Sequence, residues 1–142
     1  MPWLAEKTVV VPIDFSDDAF AALSTAREVA HESTALHVLH VLPILEPAEP
    51  GIMWHTVDDA GRRQHATEAL GEELAKRGFG ELTVAIRFGD PGHEIADYAE
   101  EVKAALVVVS SHGRSSWQRL LIGSVADRVV RLARCPVLLI RR

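Results

Sequence analysis

The segment Ser110-Ser111-His112-Gly113-Arg114-Ser115-Ser116-Trp117-Gln118-Arg119-Leu120-Leu121-Ile122-Gly123-Ser124 gathers small residues, hydroxyls, two arginines and a Gly-Ser pair between an apolar run and a helical one. Residues of these types can cradle an anion. A glycine lets backbone and ligand approach with no Cβ between them. The first N–H groups of a helix point outward with a partial positive charge, and a guanidinium grips phosphate oxygens through charge-assisted bonds. Ser124 is placed to cap the following helix, and Ser124-x-x-Asp127 has the spacing of a capping box. The free N–H groups there would face an anion together with the Gly113 N–H and the Arg114 side chain. A helix terminus contributes only about 0.3–1 kcal/mol, at most about 2, whereas micromolar binding needs about 8. Groups at other strand ends must therefore supply most of a nucleotide's affinity.

Two residues can do so. Asp14 follows the first apolar run, where its carboxylate can accept from ribose hydroxyls or an exocyclic amine; equally, it can be a second cap at the helix start. Val41 closes the second run, where its backbone groups can meet a base edge, although by type alone it reads as core. His112, next to Gly113, can contact phosphate or orient the loop. The first strand is followed by Pro12-Ile13-Asp14-Phe15-Ser16-Asp17-Asp18, with no glycine and two acids in the first helical turn. Those acids satisfy the helix N-terminus themselves, with Ser16 as N-cap, and repel phosphate. That excludes a dinucleotide fingerprint, and no P-loop exists.

Other chemistry has less support. His37 and His40 sit three apart in a strand and so on opposite faces; His31, His55, His65 and His93 share no ligand spacing, so no metal site is expected. The serines around His112 have no identifiable acid and no G-x-S-x-G elbow. Cys135, just before Pro136, reads as a buried, inert thiol.

The elements that must position these residues are legible from periodicity. Apolar runs at Thr8–Ile13, Ala35–Leu42, Leu82–Phe88, Ala105–Ser110 and Val137–Ile140 are rich in Val, Ile and Leu on both faces, as in a parallel sheet covered by helices on both sides. Between them lie segments of helical period: Ala19, Phe20, Leu23, Ala26 and Ala30; Ala66, Ala69, Leu70 and Leu74; Ile95, Ala99 and Val102; Ala126, Val129, Val130 and Ala133. The alternation predicts one open, doubly wound sheet and a single domain over residues 1–142. Leu42–Val57, with Pro43, Pro47, Pro50 and Gly51, is longer than such a connection needs and reads as a lid or a mobile loop.

Composition sets the outer bounds. The net charge of −5 argues against general nucleic-acid binding. It hides an asymmetry: residues 103–142 carry eight basic groups and one acid, a net of +7, leaving −12 on the first 102. This suits an anion handled by the last segment, or arginines that merely solvate a helix. The apolar runs are too short to cross a membrane. The start carries no secretory signature and the lone Cys135 agrees with a reducing compartment, so a cytoplasmic protein is expected.

Three stretches, VVVPIDFSDDA, LHVLHV and SSHGRSSWQRLLIGSVADRVVRLARCPVLLI, make nearly the whole chain resemble the universal stress protein family. Its ATP-binding members carry G-x2-G-x9-G-[ST]; here Ser110-x2-Gly113-x9-Gly123-Ser124 keeps the spacing with serine for the first glycine. The resemblance implies strand order 3-2-1-4-5 and adenine held by Asp14 and the Val41 backbone. It implies ribose and phosphates held by Ser110, Gly113, Gly123, Ser124 and Val125, with Pro12, Ile13, Val109, His112 and Arg114 completing the pocket. It implies ATP, or AMP or ADP, with Mg2+ carried by the phosphates, and a homodimer. The apolar edge strand Val137–Ile140 is the expected pairing element, since exposed edges tend to be paired or protected. A regulatory, non-enzymatic module is expected. The alternative is a family member that binds no nucleotide and serves protein interaction, with a slow ATPase behind it.

Overall fold

β-branched runs and helical repeats resolve as β1 (Thr8–Pro12), α1 (Asp17–Val29), β2 (Ala35–Leu42), α2 (Asp59–Lys76), β3 (Thr83–Phe88), α3 (Pro91–Glu101), β4 (Leu106–Ser110), α4 (Ser124–Leu132) and β5 (Val137–Ile140). The computed structural model describes residues 2–45, 58–80, 82–112 and 122–141. The five strands form one parallel sheet in the order β3-β2-β1-β4-β5, as expected. Strand limits differ from the sequence reading by a residue at the end of β1 and the starts of β3 and β4. A 3-10 turn at Pro2–Leu4 precedes β1 and is too short to leave a periodic signature.

Side chains alternate across the sheet into two cores. Val9, Val11, Val38 and Val108 pack against Phe20, Leu23, Leu70 and Leu74 from α1 and α2. Val10, Leu39 and Val107 pack against Ile95, Tyr98 and Val129 from α3 and α4. A fully buried Val or Leu contributes about 1.5–3 kcal/mol, so these two layers dominate the stability of the fold. Because α1 and α2 lie on one face and α3 and α4 on the other, the winding reverses between β1 and β4. The β1–β4 ladder covers only Val9–Val10 with Leu106–Val107, while β1–β2 extends to Pro12 and Leu39. Above Val10 and Val107 the two strands share no ladder, which opens the crevice where open α/β sheets take ligands.

Among the described helices, none is long and apolar enough to cross a membrane.

Candidate functional site

The site is built from the strand ends around this crevice. Backbone direction along β2 follows from its bonds. Ala35 donates to Lys7 and Leu39 accepts from Ile13, whereas Leu42 accepts from Gly89 beside β3. Odd-numbered residues therefore face β1, and Val41 turns its N–H and C=O toward the space above the end of β1. In β4, Val107 donates to Pro136 and Ser111 to Ile140, so Ser110 directs its backbone to the opposite side, into the same crevice. The strand register thus places three residues singled out from sequence, Asp14, Val41 and Ser110, at the ends of three neighbouring strands.

Asp14 is tied to the helix cap. Its Oδ1 accepts from Ser16 N–H at 3.0 Å and Ser16 Oγ–H at 2.5 Å, and Ser16 Oγ accepts from Ala19 N–H at 3.1 Å. The capping duty weighed for Asp14 is thus present. A carboxylate has about four acceptor positions, so this duty is compatible with a ligand contact. Pro12 is half-buried at the end of β1. Ile13 is buried in the α1/α2 core, with its N–H given to Leu39 and its carbonyl taken by His40 Nδ1; its side chain therefore serves that core.

On the other wall, Val109 is buried and Ser110 Oγ donates to the His112 carbonyl at 2.9 Å. Ser111 and His112 are 2% and 8% exposed, with Ser111 Oγ 3.0 Å from His112 Nδ1. A hydroxyl so buried is not presented to a substrate. Gly113 and Arg114 lie outside the described residues, as does most of the Leu42–Val57 connection.

Gly123, not Ser124, is the N-cap of α4, which corrects the sequence expectation. The Gly123 N–H closes onto the Ser111 carbonyl at 2.6 Å, so it is not among the groups offered to an anion. That tether shifts the helix start by one residue: Ser124 becomes the first helical position, and the N-cap residue itself makes no side-chain cap bond. The contrast with α1, α2 and α3 is direct, for Ser16, Asp58 and Asp90 each accept from a first-turn N–H. Val125 is solvent-exposed beside this N-terminus.

The helix is fixed from the side by Asp90, whose carboxylate accepts from His93 N–H and pairs with His93 Nδ1 and, at 2.5 Å, with Arg128 Nη1. The His93 bonds, with Arg128 adding charge, hold the Asp90 carboxyl below the usual carboxylate range. A Cβ on Gly92 would come within 2.6 Å of Arg128 Cβ, so the close approach of α3 and α4 requires glycine. Arg128, Arg131 and Arg134 pair with Asp90, Asp127 and Glu100. These three cations of the basic segment therefore dress helix surfaces, as the solvation reading held. Among the described residues no three His, Cys, Asp or Glu side chains gather as a metal site.

Two contributors escaped the sequence reading. His40 was weighed only as a metal ligand, and Ser111 only as a cradle hydroxyl or a nucleophile.

Comparison with known proteins adds an independent line. The chain matches the universal stress protein family over residues 6–141. It is 34% identical to the universal stress protein YxiE of Bacillus subtilis, covering 94% of this chain and 97% of the relative. The solved universal stress protein UspA from Lactobacillus plantarum superposes with a TM-score of 0.73 at 29% identity, covering 96% of this chain and 99% of that one. A crystal structure of a universal stress protein in complex with cAMP matches with a TM-score of 0.63 at 25% identity over 95% and 96% of the two chains.

Proposed function

The chain belongs to the universal stress protein family, and from that premise we propose that it binds an adenine nucleotide in the β1–β4 crevice and acts as a dimeric regulatory module in the cytoplasm. ATP is the leading ligand, with AMP or ADP in the same place. The observation that carries this reading is the α4 N-terminus. It is the one described helix start whose N-cap residue makes no side-chain cap bond, and the Gly123–Ser111 bond ties it to the end of β4, next to Ser110. The N–H groups of Ser124, Val125 and Ala126 suit phosphate oxygens. The Val41 backbone edge and the Asp14 carboxylate suit base and ribose, which must supply most of the roughly 8 kcal/mol that micromolar affinity requires. Mg2+ arrives with the phosphates. The family structure in complex with cAMP lends support from a relative.

Occupancy, not turnover, is the working principle. Asp14 serves the α1 cap and the Ser111–His112 pair is buried, so neither is set up to activate a water. Steady phosphate release abolished by Gly113→Val would contradict this.

The test is thermal unfolding with and without Mg-ATP. Binding at a hundredfold excess over Kd adds about 2.7 kcal/mol, several degrees in Tm. Gly123→Val should remove the shift while costing the ligand-free protein only about 1 kcal/mol, because φ −60° at Gly123 suits any residue and valine is merely a poor N-cap. No shift for the wild type at millimolar Mg-ATP would reject nucleotide binding and favour the pure interaction module.

A further inference from the structure

Phe15, the residue after Asp14, has φ +66°, a left-handed conformation that bulky side chains rarely adopt. Strain of this kind persists only where the surroundings over-determine it. Here the Asp14 carboxylate, accepting from Ser16 N–H, closes a turn about Phe15, and His40 braces the Phe15 ring from β2. Its ring meets the Phe15 ring edge-on at 4.9 Å, and Phe15 in turn meets Phe20 at 6.5 Å. The same imidazole places Nδ1 2.6 Å from the Ile13 carbonyl. A carbonyl only accepts, so Nδ1 carries the proton. That bond replaces a ladder rung: with Ile13 N–H on Leu39, a parallel ladder would next direct Val41 N–H to the Ile13 carbonyl. One side chain thus holds the peptide before Asp14 and the ring after it, and stands at the carbonyl to which a continued ladder would bring the Val41 N–H.

We propose that His40 is a positioning residue of the nucleotide site: through the Ile13 carbonyl and the Phe15 ring it fixes the backbone on either side of Asp14, whose carboxylate Ser16 holds, and keeps the Val41 backbone edge directed into the crevice. It does so without touching the ligand. The inference rests on the nucleotide reading above and adds a residue that sets the geometry of its base and ribose end.

Two measurements test it. In ligand-free protein, 15N spectra of the imidazoles should show His40 in the Nδ1–H form; an Nε2–H form overturns the proposal. Mg-ATP affinity is then compared across wild type, His40→Asn, His40→Gln and His40→Leu. Asn puts an amide N–H near the Nδ1 position and Gln puts it near Nε2, while Leu removes the donor. His40→Asn should bind within about twofold of wild type. His40→Gln and His40→Leu should bind about five- to tenfold more weakly, the effect of one lost hydrogen bond on positioning. The Asn and Gln pair keeps the comparison intact if His40→Leu does not fold. Equal affinity in all four overturns the His40 role and leaves the nucleotide reading standing. A wild type that does not bind overturns both.

Discussion

His37 sits on β2 three residues before His40 and on the opposite face, with Nδ1 2.8 Å from the Tyr98 hydroxyl. Burial lowers its pKa below the ordinary histidine value and raises that of Tyr98, so the bond joins a neutral imidazole to a protonated phenol. The unfolded chain, with a histidine pKa of about 6.5, then binds more protons than the folded one between that value and the lower folded pKa. Stability from this group is complete above about pH 6.5 and is lost as pH falls toward the folded pKa. Urea unfolding of wild type and His37→Asn between pH 7.5 and 5 checks it. The variant keeps a hydrogen-bonding amide for Tyr98 and has no titrating group, so it should lose less stability on acidification, and parallel curves would refute the assignment. The opposite facing of the two histidines was legible from strand period alone. Their partners were not: which carbonyl or hydroxyl meets a ring depends on register across strands, and neither the His40–Ile13 bond nor the left-handed Phe15 leaves a local signature. Ser110 illustrates the same limit. Its place in the motif was legible, but its bond to the His112 carbonyl, which gives the hydroxyl a loop-holding role that glycine cannot fill, was not.

At the scale of elements, helix starts divide the molecule. Ser16, with Asp17 and Asp18 behind it, caps α1, as the residues dictate locally. Asp58 and Asp90 do the same for α2 and α3. For α4 the local pattern Ser124-x-x-Asp127 suggests a capping box, but the Gly123 bond to Ser111 is long-range and moves the cap. Gly123→Asp would give α4 the carboxylate cap that α2 and α3 possess. Replacing glycine at an N-cap gains only a few tenths of a kcal/mol, with up to about 1 more from the dipole, so Tm should hold or rise slightly. Binding should respond far more. Two like charges ~4 Å apart repel by about 1 kcal/mol in water and about 4 near a protein surface, against the 1.4 that is tenfold in affinity. Mg-ATP titrated into Gly123→Asp should therefore bind at least tenfold more weakly in a protein no less stable. Unchanged affinity would mean that the phosphates lie elsewhere.

At the scale of the whole molecule, the sheet has two edges of different character. β3 carries Arg87, ion-paired with Glu101 and lying over the Tyr98 ring, and charge on an edge strand discourages pairing. β5 is Val-Leu-Leu-Ile, each residue half-buried, beside the exposed Val130 of α4 at 50%. The Pro136 and Ile140 carbonyls accept from β4, so Val137 and Leu139 turn their backbone groups outward. An uncharged edge of this kind, two-fold paired with a second copy, is the interface expected of the dimer. Leu139→Pro removes an outward N–H and leaves the inward ladder of Leu138 and Ile140 in place, the position at which a sheet tolerates proline. Sedimentation equilibrium should give a dimer for wild type and a monomer of retained helicity for Leu139→Pro. A persisting dimer would transfer the interface to another surface, and a wild-type monomer would reject it. The same experiment in the presence of Mg-ATP links the scales. The Ile140 carbonyl accepts from Ser111, whose own carbonyl holds Gly123. Pairing of β5 and the start of α4 are therefore joined through one residue, and a nucleotide seated on α4 that tightens the dimer must, by thermodynamic reciprocity, bind the dimer more tightly than the monomer.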